Sequence, residues 1–223
     1  MRREVLNESF EKNVKQRLFW QNEFGDEYIN RNKSVKEINQ LYQQQTGVTK
    51  EEIFQKFFGQ LDRTKNILEL GCNVGLNLVM LRNLGFQNLT GVELNEKAFR
   101  IAKEQNPKFT FYNDSIENFV PKGDNYDLVF TSGVLIHINP LALNDIIKKI
   151  LNLTKEYIFG FEYYSDKLVE INYRGHSNVC WKQNFPRLLK QIIPLKTIKE
   201  EKIFYTNQNL CDITYLLQTP QES

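Results

Sequence analysis

Two textures of apolar and polar positions follow one another along the chain. Residues 1 to 60 are polar, rich in Gln, Asn, Lys and Glu, and their apolar members recur at helical intervals in Val14, Leu18, Ile38, Leu41 and Tyr42. That spacing predicts two or three helices packed on a larger body. Glu51 to Phe58, EEIFQKFF, gathers its apolar residues on one helical face. Thr49 is placed to cap that helix, Glu52 completes a capping box, and Gly59 offers a stop. From Lys65 onward, short apolar runs alternate with amphipathic segments in the rhythm of βαβ units. The runs are NILEL (66–70), LTGVEL (89–94), FTFY (109–112), DLVFTS (127–132) and YIFGFE (157–162). Helices are expected at 76–84, 96–105 and 140–152, the last opening on Pro140 with Asn139 as its cap. Continuous apolar strands of this kind belong to a parallel sheet covered on both faces. A polar, aromatic segment (163–185), a helix near 184–192 and a closing hairpin from 197–206 and 210–218 complete the pattern.

Composition narrows the classes. The 223 residues carry 29 Lys+Arg against 27 Asp+Glu, and the net charge of +2 is spread evenly, so no basic field favours nucleic acid or anionic lipid. No apolar run approaches the roughly 18 to 20 residues that span a bilayer, and the start lacks a secretory stretch. A cytoplasmic protein, monomer or homodimer, is expected. Cys72, Cys180 and Cys211 are odd in number and far apart, which predicts reduced thiols and no structural metal.

The most informative stretch is NILELGCNVGLNL, an apolar strand running into a glycine turn and then a helix. Gly71 and Gly75 permit close backbone approach, and the following helix aims its N-terminal amides at the crevice where open α/β sheets bind ligands. Glu93 ends the second strand 22 residues after Gly71, the place for an acid that accepts both hydroxyls of a ribose. A turn with glycines for packing alone is the plain alternative. The spacing G-x-x-x-G differs from the dinucleotide G-x-G-x-x-G, and Glu69 in the last turn of the strand is expected to point into the crevice, where it suits a cationic ligand better than a pyrophosphate.

Glu69-Leu-Gly71-Cys-Asn-Val-Gly75-Leu-Asn77, Gly91-Val-Glu93, Asn113-Asp114-Ser115 and Asp127 through Gly133 to His137 resemble, in order, motifs I to IV of the class I S-adenosylmethionine-dependent methyltransferases. The resemblance covers about residues 60 to 165 and departs at Asn73, where many members carry glycine. It implies a Rossmann-like α/β fold, a mostly parallel seven-stranded sheet with helices on both faces, a helical cap (1–60) and a methyltransferase domain (61–223) with an acceptor-side insert at about 163–185. S-adenosylmethionine would be the cofactor and S-adenosylhomocysteine the product. Carried over position by position, Glu69, Gly71, Cys72, Asn73, Gly75 and Asn77 would surround the methionine and ribose, with Cys72 a small packing residue rather than a nucleophile. Glu93 would hold the ribose, Leu94 flank the adenine, and Asp114, Ser115 and Ile116 meet its edge. Thr131, Ser132 and Gly133 would border the transferable methyl. FWQNEFGDEYINRN (19–32) and EINYRGHSNVCWKQNF (170–185) further resemble the pseudaminic acid biosynthesis-associated methylases, a group linked to sugar modification.

Methyl transfer needs a placed acceptor and at most one proton acceptor. His137, beside the expected methyl, and His176 in the insert are the candidates, each with a structural alternative. Glu162, Tyr163, Tyr164, Tyr173, Arg174 and Trp181 suit a polyhydroxylated or carboxylated small molecule, such as a nucleotide sugar or amino sugar. Trp20, Phe24, Tyr28 and Arg31 form either a lid, with Tyr28 near the acceptor and Arg31 pairing the cofactor carboxylate, or plain anchors of a helix. Methylation of RNA or protein, a non-catalytic binding protein and a nicotinamide oxidoreductase are the competing classes. The absence of both a basic patch and an Asp/Asn-Pro-Pro-Tyr sequence after the fourth strand weighs against nucleic acid.

Overall fold

The computed structural model describes residues 14–31, 34–206 and 210–220. The first thirteen residues of the expected cap therefore lie outside it. A helix over 14–21 (α1) opens the described chain. It is followed by α2 (Glu23–Tyr28), α3 (Val35–Thr46) and α4 (Lys50–Phe58). Then come β1 (Asn66–Leu70), α5 (Leu76–Asn83), β2 (Asn88–Glu93), α6 (Glu96–Gln105), β3 (Thr110–Asn113) and β4 (Tyr126–Ser132). After these, α7 (Leu143–Leu153), β5 (Thr154–Tyr163), the two-residue strands β6 (Val169–Glu170) and β7 (Trp181–Lys182), α8 (Phe185–Ile192), β8 (Lys196–Phe204) and β9 (Cys211–Gln218) close the order.

Seven strands form one sheet in the order β3-β2-β1-β4-β5-β9-β8, parallel except where β9 pairs with β5 and β8. Strand order reverses between β1 and β4, and the crevice outside that switch point is where such sheets bind ligands. Alternation along each strand assigns the two faces. Ile67, Leu128, Phe130 and Phe159 pack against α4 and α5, whereas Leu68, Leu70, Val129 and Ile158 pack against α7 and α8. Glu69 and Ser132 share the parity of the first set, so their side chains belong to the α4–α5 face. No helix among the described residues is long and apolar enough to cross a membrane.

Local chemistry sets the helix boundaries. The capping box at Thr49 and Glu52 is present in both directions. Asn95 caps α6 by accepting from the Ala98 amide, and Asn184 caps α8 ahead of Pro186. The helix expected at 140–152 instead begins at Leu143. The Asn139 carbonyl takes the Ala142 and Leu143 N–H groups and its side chain takes that of Leu141, so Asn139 builds a separate turn rather than the cap.

Candidate functional site

Above the switch point lies a cavity of about 230 Å³, walled by the β1–α5 loop, the ends of β2 and β4, and helices α1, α2 and α4. The turn after β1 needs its glycine. Gly71 has φ +72°, and a Cβ there would stand 2.7 Å from Val134 Cγ2. Asn73, the position that departs from the family glycine, adopts φ +49°, left-handed geometry that Asn tolerates better than most residues. Its own Oδ1 accepts from the Val74 amide at 2.7 Å. Gly71, Cys72, Asn73 and Asn77 all face the cavity.

At the tip of β2, Glu93 lines the same cavity. Its two carboxylate oxygens accept the amides of Asn73 and Asn95, each at 2.7 Å. Burial raises its carboxyl above the usual range while those amides draw it back down. A fixed acid with further lone pairs can accept two neighbouring hydroxyls. Leu94, Asp114, Ser115 and Ile116 continue the wall, and Asp114 Oδ1 accepts the Ser115 amide at 2.8 Å.

The roof is aromatic and carries polar atoms without a partner among the described residues. Trp20, Tyr28 and Gln16 line the cavity from α1 and α2. The Trp20 Nε1 donor and both amide atoms of Gln16 are buried with no hydrogen bond among the described residues. Orphaned buried polar groups are costly, and a polar ligand in the cavity would relieve all three. Gly25 lets the roof settle, since a Cβ there would lie 1.8 Å from the Trp20 carbonyl oxygen. Asn95 fastens it by donating to the carbonyls of Trp20 and Gln21 and to Asp26 Oδ1 at 2.8 Å.

His137 lines the cavity from the turn after β4 and is 7% exposed. Its Nδ1 donates to the Val179 carbonyl at 2.8 Å, because a carbonyl can only accept. That bond leaves Nε2 as the bare lone pair. Burial lowers the imidazole pKa to about 4, so the ring is neutral near pH 7. Trp20 and Tyr173 hold it with ring centroids at 4.4 and 4.8 Å.

At and beneath the cavity floor, on the α4–α5 face, sits buried charge. Lys50, the first residue of α4, is 8% exposed, and its Nζ donates to Ser132 Oγ at 2.9 Å. The ammonium lies 5.2 to 5.8 Å from the ring centroids of Tyr42, Phe54 and Phe161. Glu69 is fully buried, with one oxygen accepting from Asn77 Nδ2 at 2.5 Å and the other without a partner among the described residues. Burial pushes the Lys50 ammonium down and the Glu69 carboxyl up. Lys50, Gln16 and Asn95 went unnoticed in the sequence. Lys50 carried a faint signal there, because a cation in the first turn opposes the helix dipole.

The expected site residues divide by location. Trp20, Tyr28, Ser132, Gly133 and His137 join the β1, β2 and β3 residues around one space. Glu69 does not point into the crevice as its sequence position suggested, since alternation carries it under the floor. Gly75 packs toward Phe111, and Thr131 is buried at the sheet. Glu162 holds the turn after β4 by accepting the Val134 and Ile136 amides. Arg31 donates to the hydroxyls of Tyr28 and Tyr173, outside the cavity wall. Tyr173 backs His137, and the Arg174 guanidinium lies 5.9 Å from the rings of Tyr28 and Tyr173. Tyr163 packs against the core and Tyr164 bonds Asp166. Trp181 is buried in the β6–β7 ribbon, and exposed His176 packs on Phe19 and Phe24, away from the cavity.

A family model described as a methyltransferase domain matches residues 67–157. No curated protein matches the chain. Among solved structures, magnesium protoporphyrin IX methyltransferase from Synechocystis PCC 6803 with bound S-adenosylmethionine is similar at TM-score 0.67 and 15% identity, over 94% of this chain and 97% of that one. The 1,6-didemethyltoxoflavin-N1-methyltransferase of Burkholderia thailandensis is similar at TM-score 0.60 and 13% identity, over 77% and 76%. The N-terminal domain of EvdMO1, crystallised in the presence of S-adenosylhomocysteine and D-fucose, is similar at 0.57 and 17%, over 76% and 81%. Strand order, the acid at the tip of β2 and the domain match agree: residues 67–157 match a methyltransferase domain, and the sheet has the fold of the class I S-adenosylmethionine-dependent methyltransferases.

Proposed function

We propose that this enzyme methylates an amino or hydroxyl group of a small molecule, a sugar or nucleotide sugar, and that residues 1–60 serve as a cap on a catalytic body formed by 61–223. The observation that carries the reading is the shared cavity. It joins a carboxylate suited to a ribose, Glu93, to a neutral imidazole suited to an acceptor's proton, His137, under an aromatic roof.

When bound, the cofactor supplies an electrophilic methyl on a sulfonium, open to in-line displacement by a lone pair. Glu93 accepts the ribose hydroxyls, while Asp114, held by the Ser115 amide, and Ile116 face the edge of the adenine. His137 Nε2 accepts the hydrogen of the acceptor's O–H or N–H and so aims its lone pair. With its low basicity, the imidazole orients the acceptor by accepting its hydrogen bond, and the proton set free on methyl transfer leaves to solvent. Trp20 and Tyr28 exclude water and offer flat surfaces to a sugar face. Tyr173, Arg31 and Arg174 lie behind this opening and suit a carboxylated or phosphorylated acceptor. The resemblance of 19–32 and 170–185 to the pseudaminic acid-associated methylases, and the D-fucose present with EvdMO1, favour the same class.

Incubation with labelled S-adenosylmethionine and a panel of nucleotide sugars and amino sugars tests the proposal. Label transferred to a sugar, located by mass spectrometry, is the expected result. Transfer only to RNA or protein, or cofactor binding with no transfer to any acceptor, overturns it.

A further inference from the structure

Lys50 occupies an unusual place for a lysine. Its ammonium carries three N–H donors, and Ser132 Oγ is the one hydrogen-bond partner found among the described residues. No carboxylate of the described residues lies within ion-pair distance of it. The nearby acids, Glu69, Glu162 and Asp212, are themselves buried on or beside the same sheet, and each is pushed toward its neutral form by that burial. A buried cation without a matching anion is costly, yet Lys50 lines the cavity together with Gly71, Ser132 and Gly133. Aromatic ring faces surround the ammonium on its protein side, which leaves its open side toward the cavity.

Position identifies what the open side meets. Glu93 ends β2 and Ser132 ends β4, and β1 runs between them, so these two ends of the site stand about 10 Å apart at the usual strand spacing. A ribose anchored at Glu93 places an amino-acid tail across the Gly71 bend toward Lys50. Arg31, the cation expected for this task from sequence, is engaged by Tyr28 and Tyr173 outside the cavity wall. Resting on the cofactor reading above, we propose that Lys50, held by Ser132, binds the α-carboxylate of the cofactor and makes the enzyme selective for adenosyl ligands that retain it. Glu69 lies under the floor near the same point, and burial holds its carboxyl toward the neutral form, so it leaves the ammonium's charge uncancelled.

The test is titration calorimetry of two thioethers, S-adenosylhomocysteine and its decarboxylated counterpart, against wild type and Lys50→Met. Methionine keeps an unbranched apolar side chain among the rings, and thermal melting checks that the variant folds. Wild type is expected to prefer the carboxylated ligand by about tenfold or more, the loss of one hydrogen bond between charged groups. Lys50→Met is expected to abolish that preference and leave the decarboxylated ligand near its wild-type affinity. Equal binding of both ligands by wild type overturns the inference without any variant. So does a variant that keeps the preference, or one that weakens both ligands alike. Wild type binding neither ligand is a different failure, which removes the cofactor reading and the inference with it.

Discussion

At the scale of single residues, the site depends on two side chains whose state is fixed by backbone. Glu93 is clamped by the Asn73 and Asn95 amides, so its remaining lone pairs point one way. Glu93→Ala should weaken S-adenosylmethionine binding by about tenfold to a hundredfold, the range for hydrogen bonds to a charged acceptor, read by calorimetry. An unchanged affinity removes its ribose role. His137 should stay neutral through the physiological range, because burial lowers its pKa to about 4. Its imidazole resonances are therefore expected to show no titration between pH 5.5 and 8 by NMR, and His137→Ala to lower kcat while leaving cofactor affinity in place. A midpoint near 6.5 in the wild-type spectrum contradicts the buried, carbonyl-bound tautomer. Glu93 was visible in the sequence because its spacing from Gly71 encodes local strand–turn geometry. Lys50 was not, because it reads as one of many polar helix residues until tertiary contact brings it under β4. The same limit applies to Glu162, whose role in holding the turn after β4 joins residues 26 and 28 apart.

Elements show the same division. Five parallel strands, three of the helices between them and the capping box at Thr49 followed from apolar periodicity and cap chemistry. The start of α7 did not, since Asn139 and Pro140 together make a plausible cap yet the carbonyl of Asn139 closes a turn first. Nor could periodicity show how α1 and α2 meet the body, because that contact joins residues far apart in the chain, by the Asn95 side chain and by rings such as Trp20 on His137. Asn95 uses its Oδ1 on α6 and its Nδ2 on three roof acceptors. Asn95→Ala is expected to cost about 1 to 2 kcal/mol through the lost helix cap alone. It should also speed cofactor dissociation in stopped flow, because the roof loses its fastening. A variant that is less stable but releases ligand at the wild-type rate separates cap from roof and argues against the coupling.

For the whole molecule, buried acids set the response to pH. Glu162 and Asp212 have carboxyl pKa values raised to about 7 by burial, against about 4 in the unfolded chain. A raised folded value means that the folded state holds protons the unfolded state has released. The stability this brings is complete below the unfolded pKa and is lost as pH rises through 7. His137 acts with the opposite sign, but only between about pH 4 and 6.5. Thermal midpoints of the ligand-free protein should therefore fall between pH 6.5 and 8, and Asp212→Asn should flatten that fall. A midpoint that rises across this interval contradicts the protonated assignment. Such long-range electrostatics could not be read from composition, where the net charge of +2 suggests nothing unusual.

The Asn95 fastening has a kinetic consequence. Because the Asn95 amide clamps Glu93 while its side chain suspends the roof, the acid proposed to hold the ribose and the roof over it share one residue. A nucleoside is expected to enter or leave more readily when α1 and α2 move away. Arrival is then paced by how often the protein opens instead of by diffusion, and raising cofactor concentration should bring the observed association rate to a plateau.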